Sequence, residues 1–174
     1  MTTKIDYSLE EWWALQELPL LVGVAVLYAS SSSTGGMMRE IIASATAVAN
    51  AGQMFPDNEL IQSLMAPDED SKILKPLPPI TSGASKKERA EQLKKEMLAK
   101  CQRAANVLDA KATAHEIRDY KMWAMAIGGE VAVAVKEGGM FGIGAKTITE
   151  EETALLEEIA KALRYNSYQA PKSK

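Results

Sequence analysis

The sequence predicts an all-α protein, a bundle of about six helices, and three observations lead to this prediction. Aromatic residues make up only 6% of the 174 residues while 47% are hydrophobic, a balance that suits close helix packing better than a β-sandwich. Apolar residues recur every three or four positions along several segments. Three segments begin with Ser or Thr followed three positions later by Glu, the spacing of a capping box.

The N-terminal part of the chain, residues 8–66, is predicted to hold several helices. Ser8 is followed at capping-box spacing by Glu, so a helix is expected to begin there. Pro19 lacks a backbone N–H and is predicted to divide the apolar run around it into two short helices. Further helices are expected over 37–51 and 58–65, where apolar residues recur at helical spacing.

A proline-rich segment, 67–85, is predicted to link two helical parts. It combines prolines with Ser, Gly and acidic residues, a composition typical of extended, exposed chain. The C-terminal helices follow over 86–164, and the polar tail 165–174 is expected to be loose. The whole chain, 1–174, is expected to form a single domain, because its length lies in the usual range for one.

Capping boxes also predict where the first and last C-terminal helices begin. Ser85 with Glu88 opens the first of them, which pairs an apolar stripe with a basic outer face. Thr149 with Glu152 opens the last, and its additional acidic residues suit the positive end of the helix dipole.

The helix expected between these two, over 112–136, has a glycine pair at its centre. Gly128 and Gly129 weaken a helix, so we expect either a kink or the close approach of a neighbouring helix there. Because 131–135 alternates Val with Ala, a β-strand is the alternative for this segment. The alternation leaves no polar face, which favours the helix.

Composition and charge exclude several classes of function. The net charge of −3 argues against a general nucleic-acid binder, because phosphate recognition normally requires a basic surplus. Cys101 is the only cysteine, so no intramolecular disulfide can form, which suits the cytoplasm. The N-terminus has no signal-peptide pattern. The apolar run 18–29 is shorter than the roughly 20 residues of a membrane span and is predicted to be a buried helix.

A glycine-rich loop before the last helix has the outline of a phosphate-binding P-loop. The motif requires a lysine directly after its second glycine. Here that glycine is Gly144, and Ala145 separates it from Lys146. Too little chain follows for the strands of a nucleotide-binding fold. We therefore predict a structural turn. The residues that define it are Gly138, Gly139, Phe141, Gly142 and Gly144.

No catalytic residue and no cofactor are predicted. His115, the only histidine, shares a helix face with Asp119 at i,i+4, but the zinc motif that this spacing suggests lacks its second histidine. Cys101 falls on an apolar helix stripe, which indicates an inert core thiol.

Two further groups are candidates for binding. Trp12 and Trp13 differ by about 100° around a helix, so one ring is expected to pack inside while the other meets a partner. Glu137, Glu150 and Glu152 flank the glycine loop and are candidate ligands for a hard cation. The alternative for the last two is that they serve the helix N-terminus.

The C-terminal sequence VAVAVKEGGMFGIGAKTITEEE, which begins at Val131, resembles the end of an uncharacterised family of small helical bacterial proteins. The run LPLLVGVAV, Leu18 to Val26, is similar to that family's first core helix. The resemblance covers both ends of the chain and implies an all-α fold without indicating an activity.

A more distant resemblance is to the TerB-like helical domains of tellurite resistance. In those domains an acidic residue and a glycine precede a Ser- or Thr-capped helix that carries Glu, as Glu137 precedes the helix capped by Thr149 here. The loop 139–148 separates the two in this chain. The resemblance implies a metal-ion or small-ligand site at Glu137, Glu150 and Glu152.

The function expected from these patterns is that of a small, non-enzymatic bacterial protein in the cytoplasm, which binds a protein partner or a second copy of itself. The rival is a helical protein that binds a metal ion or small ligand. An enzyme with an unrecognised carboxylate site is the third alternative.

Overall fold

The computed structural model describes residues 2–29, 50, 53–66, 86–137 and 148–166. All regular structure within them is helical, which confirms the predicted fold class. A 3-10 turn, Lys4–Asp6, precedes five α-helices. These are α1, Leu9–Ala29; α2, Glu59–Met65; α3, Lys86–Lys111; α4, Ala114–Glu137; and α5, Glu150–Ala162.

Several predicted segments lie outside the described residues. They are the helix over 37–51 apart from residue 50, the linker 67–85, the glycine loop 138–145 and the tail beyond 166. The strand considered for 131–135 is excluded, because α4 runs through it as a helix.

Helix α1 is the centre of the described fold and contacts each of the other four α-helices. Leu15, Leu18, Val22 and Val26 on this helix are fully buried. One continuous apolar core joins α1 and α2 to the helices that follow the predicted linker. The N-terminal and C-terminal helices therefore stabilise each other.

Among the described residues, α1 is also the one helix long and apolar enough to cross a membrane. The most apolar 18-residue window of α1 has a mean hydropathy of 1.4, and 56% of that window is buried inside the fold. The core helix of a soluble protein has the same properties, so length and composition do not separate the two possibilities.

The prediction that Pro19 divides this segment is wrong, because α1 continues through Pro19 to Ala29. A proline inside a helix removes the N–H that would bond the carbonyl four residues earlier, here that of Leu15. The hydroxyl of Tyr120 on α4 donates to the Leu15 oxygen at 2.6 Å. Burial raises the pKa of Tyr120 well above its ordinary value, so this hydroxyl remains a donor. A neighbouring helix thus supplies the hydrogen bond that Pro19 removes.

The predicted helix starts are confirmed where the structure describes them. The Ser8 N–H donates to Glu11 Oε2 at 2.7 Å, and the Glu11 N–H donates to Ser8 Oγ at 3.2 Å. Thr149 and Glu152 form the same reciprocal pair at the start of α5. Asn58 caps α2 through its side chain.

The glycine pair in α4 marks a close helix contact, one of the two explanations predicted for it. A Cβ atom at Gly128 would lie 2.8 Å from Leu156 Cδ2 and 2.9 Å from Val22 Cγ1, whereas one at Gly129 would meet nothing within 4 Å. Helices α1 and α5 therefore approach α4 closely at Gly128 and leave Gly129 in open space.

Alanine substitution of the two glycines should have opposite effects on the free energy of unfolding. We expect Gly129→Ala to raise it by about 1 kcal/mol through helix propensity alone. Gly128→Ala should lower the free energy of unfolding by about 1 kcal/mol. Overpacking costs about 1–3 kcal/mol, which outweighs the gain from helix propensity. Urea denaturation measures both variants, and equal stabilisation by the two would contradict the packing described for Gly128.

Candidate functional site

The acidic residues predicted as metal ligands occupy different structural positions. Glu137 is the last residue of α4. Glu150 lies exposed in the first turn of α5, while Glu152 is buried and its Oε2 accepts the Thr149 N–H at 2.8 Å. Glu152 thus serves the helix N-terminus, as the alternative reading predicted. In the described ranges, no three His, Cys, Asp or Glu side chains are grouped so that they could hold a metal ion.

The two tryptophans face different surroundings. Trp12 is 2% exposed, and its ring centroid lies 5.7 Å from that of Tyr7. Trp13 is half-buried at the edge of the core. Trp12 is therefore the ring that packs inside, as expected for one of the two, and a partner contact at the other ring, Trp13, stays a prediction.

Glu116, which no sequence pattern indicated as a site residue, is a buried carboxylate that accepts four hydrogen bonds. It is 2% exposed near the start of α4. Its Oε2 accepts the N–H and the hydroxyl of Thr113, each at 2.8 Å. Its Oε1 accepts the N–H of Thr2 at 2.6 Å and the Thr2 hydroxyl at 3.1 Å. The spacing of Thr113 and Glu116 was a local signal for this cap, but nothing in the sequence indicated Thr2.

The hydrogen bonds to Glu116 also set its ionisation. Burial on its own raises the pKa of Glu116, but the backbone and hydroxyl donors of Thr113 and Thr2 outweigh it. The pKa is therefore lowered from its ordinary value of 4.5, and the carboxylate stays charged at neutral pH.

A second buried carboxylate, Asp119, holds the cap of α2. Its Oδ2 accepts from Asn58 Nδ2 at 3.3 Å and lies 3.2 Å from His115 Nε2, as the i,i+4 spacing predicted. Its Oδ1 accepts from Arg118 Nε at 3.1 Å. Asn58 Oδ1 in turn accepts the Ile61 N–H. The carboxylate therefore positions a helix cap.

The basic face of α3 is directed at acidic residues of α1 and α5. Such exposed pairs each contribute about 0–1 kcal/mol, so they orient the helices more than they stabilise them. The pairs are Lys94 with Glu158, Lys100 with Glu17, Arg103 with Glu10, and Lys111 with Glu11.

Cys101 is a core thiol, as predicted. It is fully buried, with its Sγ 3.8 Å from Met97 Sδ. Burial raises its pKa to about 12, so the nucleophilic thiolate does not form at neutral pH.

Comparison of the chain with protein-family models, curated proteins and solved structures found no match. The resemblances drawn from the sequence stay predictions. The polar geometry of the described residues is that of helix caps and interhelical links.

The ionisation of Glu116 should make the fold sensitive to acid. A carboxyl whose pKa is lower in the folded state stabilises the protein above the unfolded pKa, and this stabilisation is lost as pH falls through the folded pKa. We expect the melting temperature to fall as pH drops below 4.5, the ordinary value for Glu116. Glu116→Gln should be less stable at neutral pH but should lose less on acidification.

Thermal melts at several pH values measure this difference. Glu130→Gln, which changes an exposed residue of the same helix, is the matched control and should keep the wild-type pH profile. Identical profiles for Glu116→Gln and wild type would show that Glu116 does not contribute to the acid sensitivity.

Proposed function

We propose that this is a small bacterial protein of the cytoplasm that acts by contacting a protein partner, foremost a second copy of itself, without a cofactor. The observation that carries the proposal is the exposure of apolar side chains just before α1 and in its first turns. The charge and cysteine content on which the cytoplasmic expectation rests are compatible with it.

We call Ile5, Leu9 and Trp13 the N-terminal apolar patch. Ile5 is 92% exposed and Leu9 is 56% exposed. Trp13 is half-buried and lies four residues after Leu9, so the two share a face of α1. Soluble monomers rarely leave large apolar side chains grouped at the surface, and aromatic residues are enriched where proteins meet. Trp13 is the tryptophan that a partner can reach.

The side chains that could take part in catalysis are used in the fold, which supports an interaction role over an enzymatic one. The carboxylate oxygens of Glu116 and Asp119 accept hydrogen bonds that cap helices and link one helix to another. Cys101 stays protonated in the core. Groups used in this way stabilise the fold, and a substrate would have to displace these bonds before it could react.

Light scattering across a range of protein concentrations tests the proposal. We expect the wild-type chain to form a dimer, and Leu9→Ser and Trp13→Ala each to raise its dissociation constant about tenfold or more, because truncating an interface anchor costs about 2 kcal/mol. Val133→Ser, which changes an exposed apolar residue on α4, is the matched control and should leave the dimer unchanged.

Circular dichroism must show the same helix content in every variant. A wild-type chain that stays monomeric at high concentration would contradict self-association. A dimer that Val133→Ser weakens as much as Leu9→Ser does would contradict the assignment to the N-terminal apolar patch.

A further inference from the structure

The segment before α1, Thr2–Tyr7, lies against the turn between α3 and α4. We call it the N-terminal strap. It holds a 3-10 turn, Lys4–Asp6, closed by local hydrogen bonds from the Asp6 N–H to the Thr3 oxygen and from the Tyr7 N–H to the Lys4 oxygen. Its links to the rest of the fold include side chains near that turn, and the 3-10 turn also contacts α2.

The first link is a clip at the start of the strap. Glu116 Oε1 accepts both the N–H and the hydroxyl of Thr2, and the Thr2 hydroxyl lies 3.0 Å from the Tyr7 hydroxyl. Hydrogen bonds to an ionised acceptor are about twice as strong as neutral ones. Removing the charge of Glu116 therefore weakens the hydrogen bonds that hold Thr2, at the end of the strap farther from α1.

The second link is at the end of the strap, where Tyr7 lies against Trp12. The ring centroids are 5.7 Å apart, and Tyr7 is itself buried. Lys111 Nζ sits 5.5 Å from the Tyr7 ring centroid and donates to the Asp6 oxygen at 3.1 Å. The strap therefore covers Trp12, and the Glu116 carboxylate and the Lys111 ammonium group help to hold it in place.

Helix α1 does not need the strap in order to begin. Ser8 and Glu11 form a complete capping box, and Lys111 Nζ donates to Glu11 Oε2 at 2.6 Å. These bonds remain when the strap is detached. The backbone hydrogen bonds of the strap are local, and proteins open in local units whose free energy of opening is below that of global unfolding.

We propose that the N-terminal strap is a detachable cover over Trp12, clipped to α4 by Glu116, and that its opening exposes the Trp12 ring. Opening places Trp12 beside Leu9 and Trp13, the two members of the N-terminal apolar patch that lie on α1, while Ile5 moves away with the strap. The use of the open state rests on the proposed interaction function. The opening itself is a property of this chain alone.

Native-state hydrogen exchange, followed by NMR on the full chain, tests the opening without a partner. The amide hydrogens of Asp6 and Tyr7 report on the strap, and that of Val22 reports on the core. In Glu116→Gln we expect the strap amides to exchange about tenfold faster, equivalent to about 1.4 kcal/mol, while the free energy of opening at Val22 changes less. Glu130→Gln should leave both rates unchanged.

Indole N–H exchange tests the cover. Trp12 is expected to exchange faster in step with the strap amides in Glu116→Gln, while Trp123, an equally buried ring on α4, keeps its rate. Thr2→Val removes the hydroxyl bond to Glu116 without altering the cap of α4. If Glu116→Gln lowers global stability, the exchange rates measured in Thr2→Val decide the test.

Two results would overturn the proposal. One is that Asp6 and Tyr7 exchange only as fast as the core in the wild type and in both variants, because the strap would then open only on global unfolding. The other is faster exchange of the strap amides with no change at the Trp12 indole. Neither result depends on whether the chain dimerises, so the proposed function is tested separately.

Discussion

A single hydrogen bond between helices, from the Tyr120 hydroxyl to the carbonyl oxygen of Leu15, accompanies the passage of α1 through Pro19 without a break. A buried carbonyl left without a donor costs about 1–3 kcal/mol. The described fold depends on this continuity, because α1 is the helix that every other α-helix contacts. The same bond fixes α4 beside the middle of α1, the helix on which the core is built.

The two ends of α1 then have different tasks. Its N-terminal half carries Glu10, Glu11 and Glu17, which pair with basic residues of α3. Its last turns carry no charge and pack closely on α4, where Gly128 leaves room for Val22. Two of the five large apolar side chains that are exposed among the described residues, Ile5 and Leu9, lie at the charged end, where the N-terminal strap joins α1. The proposed contact surface and the proposed opening of the strap both lie at that end.

Sequence patterns predicted the features that depend on neighbouring residues. The caps at Ser8 and Thr149 follow from a spacing of three positions, and both are confirmed. The break at Pro19 was wrong because the rescuing donor, Tyr120, is 105 positions from Leu15 and has no local signature. The clip between Thr2 and Glu116 was missed for the same reason. The sequence indicated that the two tryptophans would face differently, but the fold decides which one is buried.

A double-mutant cycle on the free energy of unfolding tests the role of this bond most directly. In the wild-type chain, we expect Tyr120→Phe to cost about 1–3 kcal/mol, because it leaves the Leu15 carbonyl without a donor. In a Pro19→Ala chain, the restored N–H takes that place, so Tyr120→Phe should cost at least about 1 kcal/mol less. Equal costs in the two backgrounds would show that Tyr120 does not compensate for Pro19, and would contradict this account of α1.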